Sequence, residues 1–126
     1  MEKYLVTKEQ AQELKKLGFD WPCLYAYDMY DVFYSDLSES QMYTGFDYNN
    51  TRRLTSRPFK VQVFDWFREN YLYHCSIQRS VSVYYGCITL PSVLDLQVFT
   101  DVHHNYESVE SECIDILIKL AKEKKL

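Results

Sequence analysis

The stretch PFKVQVFDWFRENY, residues 58–71, decides the fold of this 126-residue chain. Its largest apolar side chains recur at i, i+4, i+7 and i+8, which places them on one face of an α-helix. They are Phe59, Val63, Trp66 and Phe67. A second stripe of Val61, Phe64 and Tyr71 widens the apolar arc beyond that of a surface helix, and Lys60 is expected to face water. The pattern predicts a core helix that is covered on more than one side.

Composition is typical of one domain, and we expect residues 1–126 to fold as a single unit. With 47% hydrophobic residues, the chain can bury a core without disulfides or metals. Four cysteines lie far apart without CxxC spacing, and the N-terminal MEKYLVTKEQ has no apolar signal-like run. We therefore expect reduced, buried thiols, a cytoplasmic location and no membrane partner.

The first half of the chain predicts a helix and a hairpin. Thr7 and Gln10 have capping-box spacing, and Gly18 is suited to end the helix. Residues 23–34 are typical of strand–turn–strand. Residues 35–57 show no sustained period and predict an irregular loop that is mobile or functional. Ser56 is expected to cap the core helix, with Pro58 in its first turn.

The second half predicts three strands and a closing helix. Residues 73–81 alternate between apolar and polar side chains, and residues 83–90 and 93–102 continue the strand pattern. Residues 105–124 begin with glutamates and end with lysines, which matches the helix dipole. The predicted class is α+β: an antiparallel sheet, with a hairpin plus a three-strand meander, packed against the central aromatic helix and a C-terminal helix.

Four features, in this order, resemble a family of small uncharacterised proteins from phages and prophages of Bacteroides-type gut bacteria. They are the segment TKEQAQELKKLGFDWPC, the helix PFKVQVFDWFRENY, a strand meander and the closing segment NYESVESECIDILIKLAKEKK. The resemblance implies a viral origin and the cytoplasm of a bacterial host. It implies no activity, and it does not extend over residues 35–57.

One cationic cluster stands beside aromatic residues and is a candidate ligand site. Its members are Arg52, Arg53, Arg57 and Lys60, with Tyr43, Phe46 and Tyr48. Arginine forks bind phosphates and aromatic faces stack on bases, so this cluster could hold a nucleotide or a cyclic nucleotide. The alternative is a solvated basic loop that balances the acidic stretch before it.

An acidic, tyrosine-rich segment is a candidate protein interface. Its members are Tyr25, Tyr27, Asp28, Tyr30, Asp31 and Tyr34. Tyrosine is enriched at interfaces, and the carboxylates would suit a basic partner. The same aromatics could instead close a homo-oligomer.

Motifs for other chemistries are weak. His103 and His104 are adjacent and would point to opposite faces of a strand, so no metal or other cofactor is expected. The cysteines lie in apolar patterns, where thiols are inert, and no catalytic residue is proposed.

The net charge of −4 disfavours general nucleic-acid binding. An RNA-binding fold would match the element order, but Glu107 and Glu110 make the start of the last helix negatively charged, which is the wrong sign for binding phosphate.

The resemblance, together with the lack of catalytic motifs, favours a non-enzymatic, phage-type accessory binding protein that counters a host defence by binding a host protein. The alternative is a sponge that sequesters a nucleotide or cyclic-nucleotide signal through the arginine and aromatic loop. A structural or RNA-binding module is the further alternative.

Overall fold

The structure, a computed structural model, describes residues 2–28, 33–35, 49, 54–91 and 96–124. In this part of the chain there are three α-helices and two three-stranded antiparallel sheets, which confirms the predicted α+β class. The chain forms two compact units, Met1–Phe59 and Lys60–Leu126. Each unit contains one of the sheets.

The first unit combines a short 3₁₀ turn, one helix and one sheet. Its described elements are the turn Glu2–Tyr4, helix α1 (Lys8–Leu17) and strands β1 (Tyr25–Asp28), β2 (Phe33–Ser35) and β3 (Leu54–Ser56). Strand β1 lies in the centre and pairs antiparallel with β2 and with β3. The predicted hairpin is therefore present, and a third strand extends it.

Helix α1 is capped at both ends, as its sequence predicts. The Thr7 hydroxyl accepts a hydrogen bond from the Gln10 backbone at 3.1 Å, and the Gln10 side chain accepts one from the Thr7 backbone at 3.0 Å. Gly18 has a φ of +94°, the left-handed conformation that ends a helix. Ala11, Leu14 and Leu17 are buried along the apolar edge.

Two predicted features between residues 54 and 60 are wrong in detail. Leu54–Ser56 is strand β3, although it belongs to the stretch predicted as an irregular loop, and Ser56 does not cap the core helix. The backbone N–H of Arg57 donates to the Tyr25 carbonyl, and the Pro58 carbonyl accepts from Val6. Because this segment is paired as extended chain, the helix begins later, at Lys60.

The second unit contains the core helix, the meander and the closing helix. Its elements are α2 (Lys60–Tyr71), β4 (His74–Ser80), β5 (Val83–Thr89), β6 (Gln97–Phe99) and α3 (Tyr106–Lys124). The strand order is β4-β5-β6, and both pairings are antiparallel, as predicted. The Asn105 side chain accepts a hydrogen bond from the Ser108 backbone at 2.8 Å and caps α3.

Helix α2 is buried on the predicted face and differs from the prediction at two positions. Val63, Trp66 and Phe67 are buried. Val61, expected in a covered second stripe, is 64% exposed. Lys60, expected to face water, is 6% exposed. A membrane-crossing helix is absent from the described residues, since none of their helices is both long and apolar enough.

Strand β4 alternates as predicted, whereas β6 is shorter than predicted. His74, Ser76 and Gln78 are exposed between the half-buried Cys75 and Ile77. Of the predicted strand at 93–102, the structure shows Gln97–Phe99, and residues 92–95 lie outside the described chain.

The β4–β5 turn holds a strained residue. Val81 has a φ of +58° and is 90% exposed, so a β-branched side chain lies in a left-handed conformation without burial to offset the strain. Positive φ at the first turn residue is typical of a type II′ hairpin, where glycine is preferred.

We expect Val81→Gly to raise the free energy of unfolding by about 1 kcal/mol, because relief of the strain exceeds the entropy cost of glycine. Denaturant unfolding measures the change. Ser82→Gly is the matched control, because Ser82 lies in the same turn without a positive φ. A destabilised Val81→Gly would contradict the assignment of strain.

Candidate functional site

The predicted ligand cluster is divided between the two units and the undescribed residues. Arg57 is buried in the first unit at 7% exposure, and its Nε donates to the Val6 carbonyl at 2.8 Å. This bond holds the paired segment after β3 in place, so the guanidinium has a structural contact. Arg52, Arg53, Tyr43, Phe46 and Tyr48 lie outside the described residues.

Lys60, the fourth cation of that cluster, is buried in the second unit. Its Nζ lies 3.8 Å from the Glu110 carboxylate and donates to the Glu107 carbonyl at 3.4 Å. Burial raises the pKa of the Glu110 carboxyl, Lys60 counteracts that shift, and Glu107 adds to it. Lys60 therefore compensates a buried carboxylate inside the unit.

Two tyrosines of the predicted interface, Tyr25 and Tyr27, are core residues. Tyr25 is 8% exposed and meets Phe59 edge to face at 5.8 Å. Tyr27 is 2% exposed, and its hydroxyl donates to the Lys8 carbonyl at 2.7 Å. The backbones of Asp28 and Tyr34 lie in β1 and β2. Tyr30 and Asp31 lie outside the described chain.

A different surface, on the second unit, is the better candidate site. Gly86 of β5 faces helix α3, because a Cβ built on it would lie 2.2 Å from the Cys113 Sγ and 3.4 Å from the Val109 Cγ1. Side chains alternate along a strand, so the neighbours of Gly86 in sequence point away from α3. We call this second side the open sheet face.

The strand register assigns residues to the open sheet face. Those on the three strands are His74, Ser76, Gln78, Ser80, Val83, Tyr85, Cys87, Thr89, Gln97 and Phe99. An isolated bridge between Tyr84 and His103 continues the pairing beyond β6. Since His103 contacts Glu112 of α3, its neighbour Val102 points to the open side.

Large apolar side chains on this face remain in water. Phe99 is 57% exposed and Val102 is 64% exposed. The ring of Tyr85 lies 6.4 Å from that of Phe99, and Tyr85 is half-buried. Neighbouring polar positions on β4, such as Ser76 and Gln78, are exposed. The face thus has aromatic side chains on β5 and β6 and polar side chains along β4.

The open sheet face carries no formal charge at its strand positions. Among its assigned strand residues there is no Lys, Arg, Asp or Glu. Phosphate recognition depends on cationic groups, so this face is not suited to nucleotides or nucleic acid. Apolar and aromatic contact is the chemistry that it offers.

His103 has a structural contact in the second unit. His103 Nε2 lies 2.5 Å from a Glu112 carboxylate oxygen, and the other oxygen of Glu112 accepts from the Asp101 backbone at 3.0 Å. His104 is exposed. In the part of the chain that the structure describes, no group of three or more His, Cys, Asp or Glu side chains could hold a metal ion.

Sequence reasoning missed the open sheet face for a specific reason. The run from Val83 to Ile88 is apolar or small throughout, so its period does not distinguish the two sides of β5. The Cys113 Sγ and the Thr100 Cγ2 would lie 2.2 Å and 3.1 Å from a Cβ on Gly86, and these two contacts show which side of β5 is covered. A glycine in a strand is a signal of close approach, and it was the clue available in the sequence.

Comparison of the chain with protein-family models, with curated proteins and with solved structures finds no match. The resemblance to phage proteins therefore stays a prediction from those four sequence features.

Proposed function

We propose that this protein is a non-enzymatic binding protein whose open sheet face binds a partner protein. The observation that supports this proposal is the exposure of Phe99 and Val102, at 57% and 64%, beside the aromatic ring of Tyr85. Exposed apolar groups that are contiguous and surrounded by polar residues are typical of protein-binding surfaces.

The composition of the face defines the chemistry of the partner. Interface centres are depleted of charge and enriched in Tyr and Phe, and a few aromatic anchors carry most of the binding energy. Phe99 and Tyr85 fit the role of anchors, and Ser76 and Gln78 fit the polar rim. The expected partner therefore presents an apolar, uncharged pocket or groove.

The resemblance to phage proteins supplies the biological setting of this proposal. In that setting the partner is a host protein in the bacterial cytoplasm, and occupying it would counter a host defence. The nucleotide sponge is the weaker alternative, because Arg57 and Lys60 are both buried and bonded within their own units. It would have to rest on Arg52, Arg53 and the aromatic residues near them.

A site-specific photocrosslinker tests the proposed surface. We expect benzoylphenylalanine in place of Phe99 to crosslink a discrete host protein in bacterial cells. The same group in place of Leu72 should not, although Leu72 is equally exposed at 57% at the end of α2. Mass spectrometry of the crosslinked species identifies the partner for purification.

Affinity measurements with that purified partner complete the test. We expect Phe99→Ala to weaken binding at least tenfold, as loss of an aromatic anchor does, and Leu72→Ala to leave the affinity unchanged. Equal crosslinking from both positions would contradict the proposal. If the only crosslinked product were a dimer of this chain, the partner would be a second copy of the chain rather than a host protein.

A further inference from the structure

Cys113 of helix α3 lies directly against the sheet of the second unit. An ideal Cβ on Gly86 would be 2.2 Å from the Cys113 Sγ, so the thiol occupies the space that any larger residue at position 86 would fill. Cys113 is 0% exposed. Its sulfur is therefore held in one place between helix and strand.

Cys75 of strand β4 approaches that sulfur from the same side of the sheet. Ile77 pairs with Gly86, and Cys75 pairs with Ile88, so Cys75 is the diagonal neighbour of Gly86 on the covered face. The two thiols are hydrogen-bonded to each other. Cys75 is half-buried, so a small reagent can reach it, whereas Cys113 is enclosed.

The hydrogen bond gives the two sulfurs different character. Donation by the Cys113 thiol lowers the pKa of Cys75, although burial and the Glu110 carboxylate act in the opposite direction. The same bond, together with burial, raises the pKa of Cys113. Cys75 is thus the better nucleophile of the pair, and Cys113 retains its proton.

We propose that Cys75 and Cys113 form a redox site that a peroxide converts into a disulfide. The Cys75 thiolate attacks one oxygen of hydrogen peroxide, the O–O bond breaks, and hydroxide leaves as the sulfur becomes a sulfenic acid. The Cys113 sulfur then displaces the sulfenic hydroxyl, which leaves with the Cys113 proton as water. Two thiols are oxidised and one peroxide is reduced to two waters.

The other two cysteines of the chain serve as internal references. Cys23 is 2% exposed in the first unit, and its Sγ donates to the Trp21 carbonyl at 3.4 Å. Cys87 is 8% exposed and belongs to the opposite side of the sheet from Cys113. Cys87 is therefore not placed to attack a sulfenic acid at Cys75.

The disulfide would join α3 to β4, two elements that meet through side chains. Such a link is reversible, because a small thiol can attack it and restore both cysteines. Transient disulfides of this kind are the form in which disulfides occur in reducing compartments. The site therefore makes the packing of the second unit responsive to peroxide.

Treating the folded full-length protein with hydrogen peroxide tests the proposal. We expect the count of free thiols to fall by two from the four of the sequence, and dithiothreitol to restore it. Peptide mapping should show Cys75 linked to Cys113, with the mass lowered by about 2 Da relative to the two thiols. An unchanged thiol count, or a disulfide containing Cys23 or Cys87, would overturn the proposal.

Single substitutions separate the roles of the two sulfurs. Cys87→Ser should lose two thiols like the parent protein. Cys113→Ser should form no disulfide and should accumulate an oxygen adduct of about 16 Da at Cys75. Cys75→Ser replaces a half-buried residue of β4 and should keep all three of its remaining thiols after peroxide treatment. If this variant lost as many thiols as Cys87→Ser, the proposed site would be refuted.

Discussion

Replacing Gly86 by alanine is expected to lower the free energy of unfolding by about 3 kcal/mol, the upper end for overpacking a core. The new methyl group would lie 2.2 Å from the Cys113 Sγ and 3.1 Å from the Thr100 Cγ2. Gly86 has no positive φ, so the expected cost is steric rather than conformational. Denaturant unfolding of the purified variant measures it.

The Cys113→Ala background identifies the source of that cost. Removing the sulfur takes away the nearest obstacle, so Gly86→Ala should cost less there than in the parent by at least about 1 kcal/mol. Gly18→Ala is a useful contrast, because a Cβ on Gly18 meets nothing within 4 Å and its cost comes from a φ of +94°. Equal costs of Gly86→Ala in both backgrounds would contradict the packing described for α3.

Replacing Lys60 by methionine is the second change with a large expected effect. It leaves the Glu110 carboxylate buried without its cation, and the expected loss is about 3 kcal/mol at pH 8. The side chains of Lys60 and Glu110 are 7% and 12% exposed, so water compensates little of that loss. Urea unfolding at several pH values measures it.

The pH dependence of that loss has a defined sign. Burial already raises the pKa of Glu110 in the folded state above the ordinary 4.5, and removing Lys60 raises it further. Between the ordinary and the raised pKa the folded state binds more protons than the unfolded state, so stability falls as pH rises. The loss should therefore be smaller near pH 4.5 than at pH 8.

A double variant provides the control for the charge pair. Lys60→Met with Glu110→Gln removes both charges, and the difference between low and high pH should largely disappear. A loss in Lys60→Met that is the same at both pH values would show that packing of the lysine stem, rather than the pair, stabilises the unit.

Local signals in the sequence were sufficient where a segment makes its own contacts. The Thr7–Gln10 capping box, the Gly18 stop and the alternation along β4 all involve neighbours within a few residues, and all three are present in the structure. Helix α2 shows the predicted burial of Trp66 and Phe67 for the same reason.

Tertiary contacts explain the differences. Ser56 has the properties of a helix cap, but its segment pairs with β1, and its backbone N–H donates to the Asn49 side chain at 2.8 Å. Lys60 has the pattern of a surface residue, but it is buried because it pairs with Glu110, fifty positions later in the sequence. A local sequence pattern cannot show such partners, since they lie elsewhere in the chain.

The candidate site was the least predictable part. The sequence drew attention to tyrosines that prove to be buried, such as Tyr27, because aromatic content alone does not separate core from surface. Phe99 and Val102 belong to a short strand and its continuation, where the period is too brief to assign a face. Other predicted site residues, among them Arg52 and Arg53, lie outside the described residues.

Radical footprinting of the aromatic side chains is the most direct test of the open sheet face. Phe99 and Tyr106 are 57% and 44% exposed, so both should be oxidised readily in the protein alone. With the partner identified by crosslinking bound, Phe99 and Tyr85 should become protected, while Tyr106, which contacts Tyr84 on the covered side of the sheet, stays reactive. Protection of Phe99 in the isolated monomer, or unchanged reactivity of Phe99 in the complex, would contradict the account.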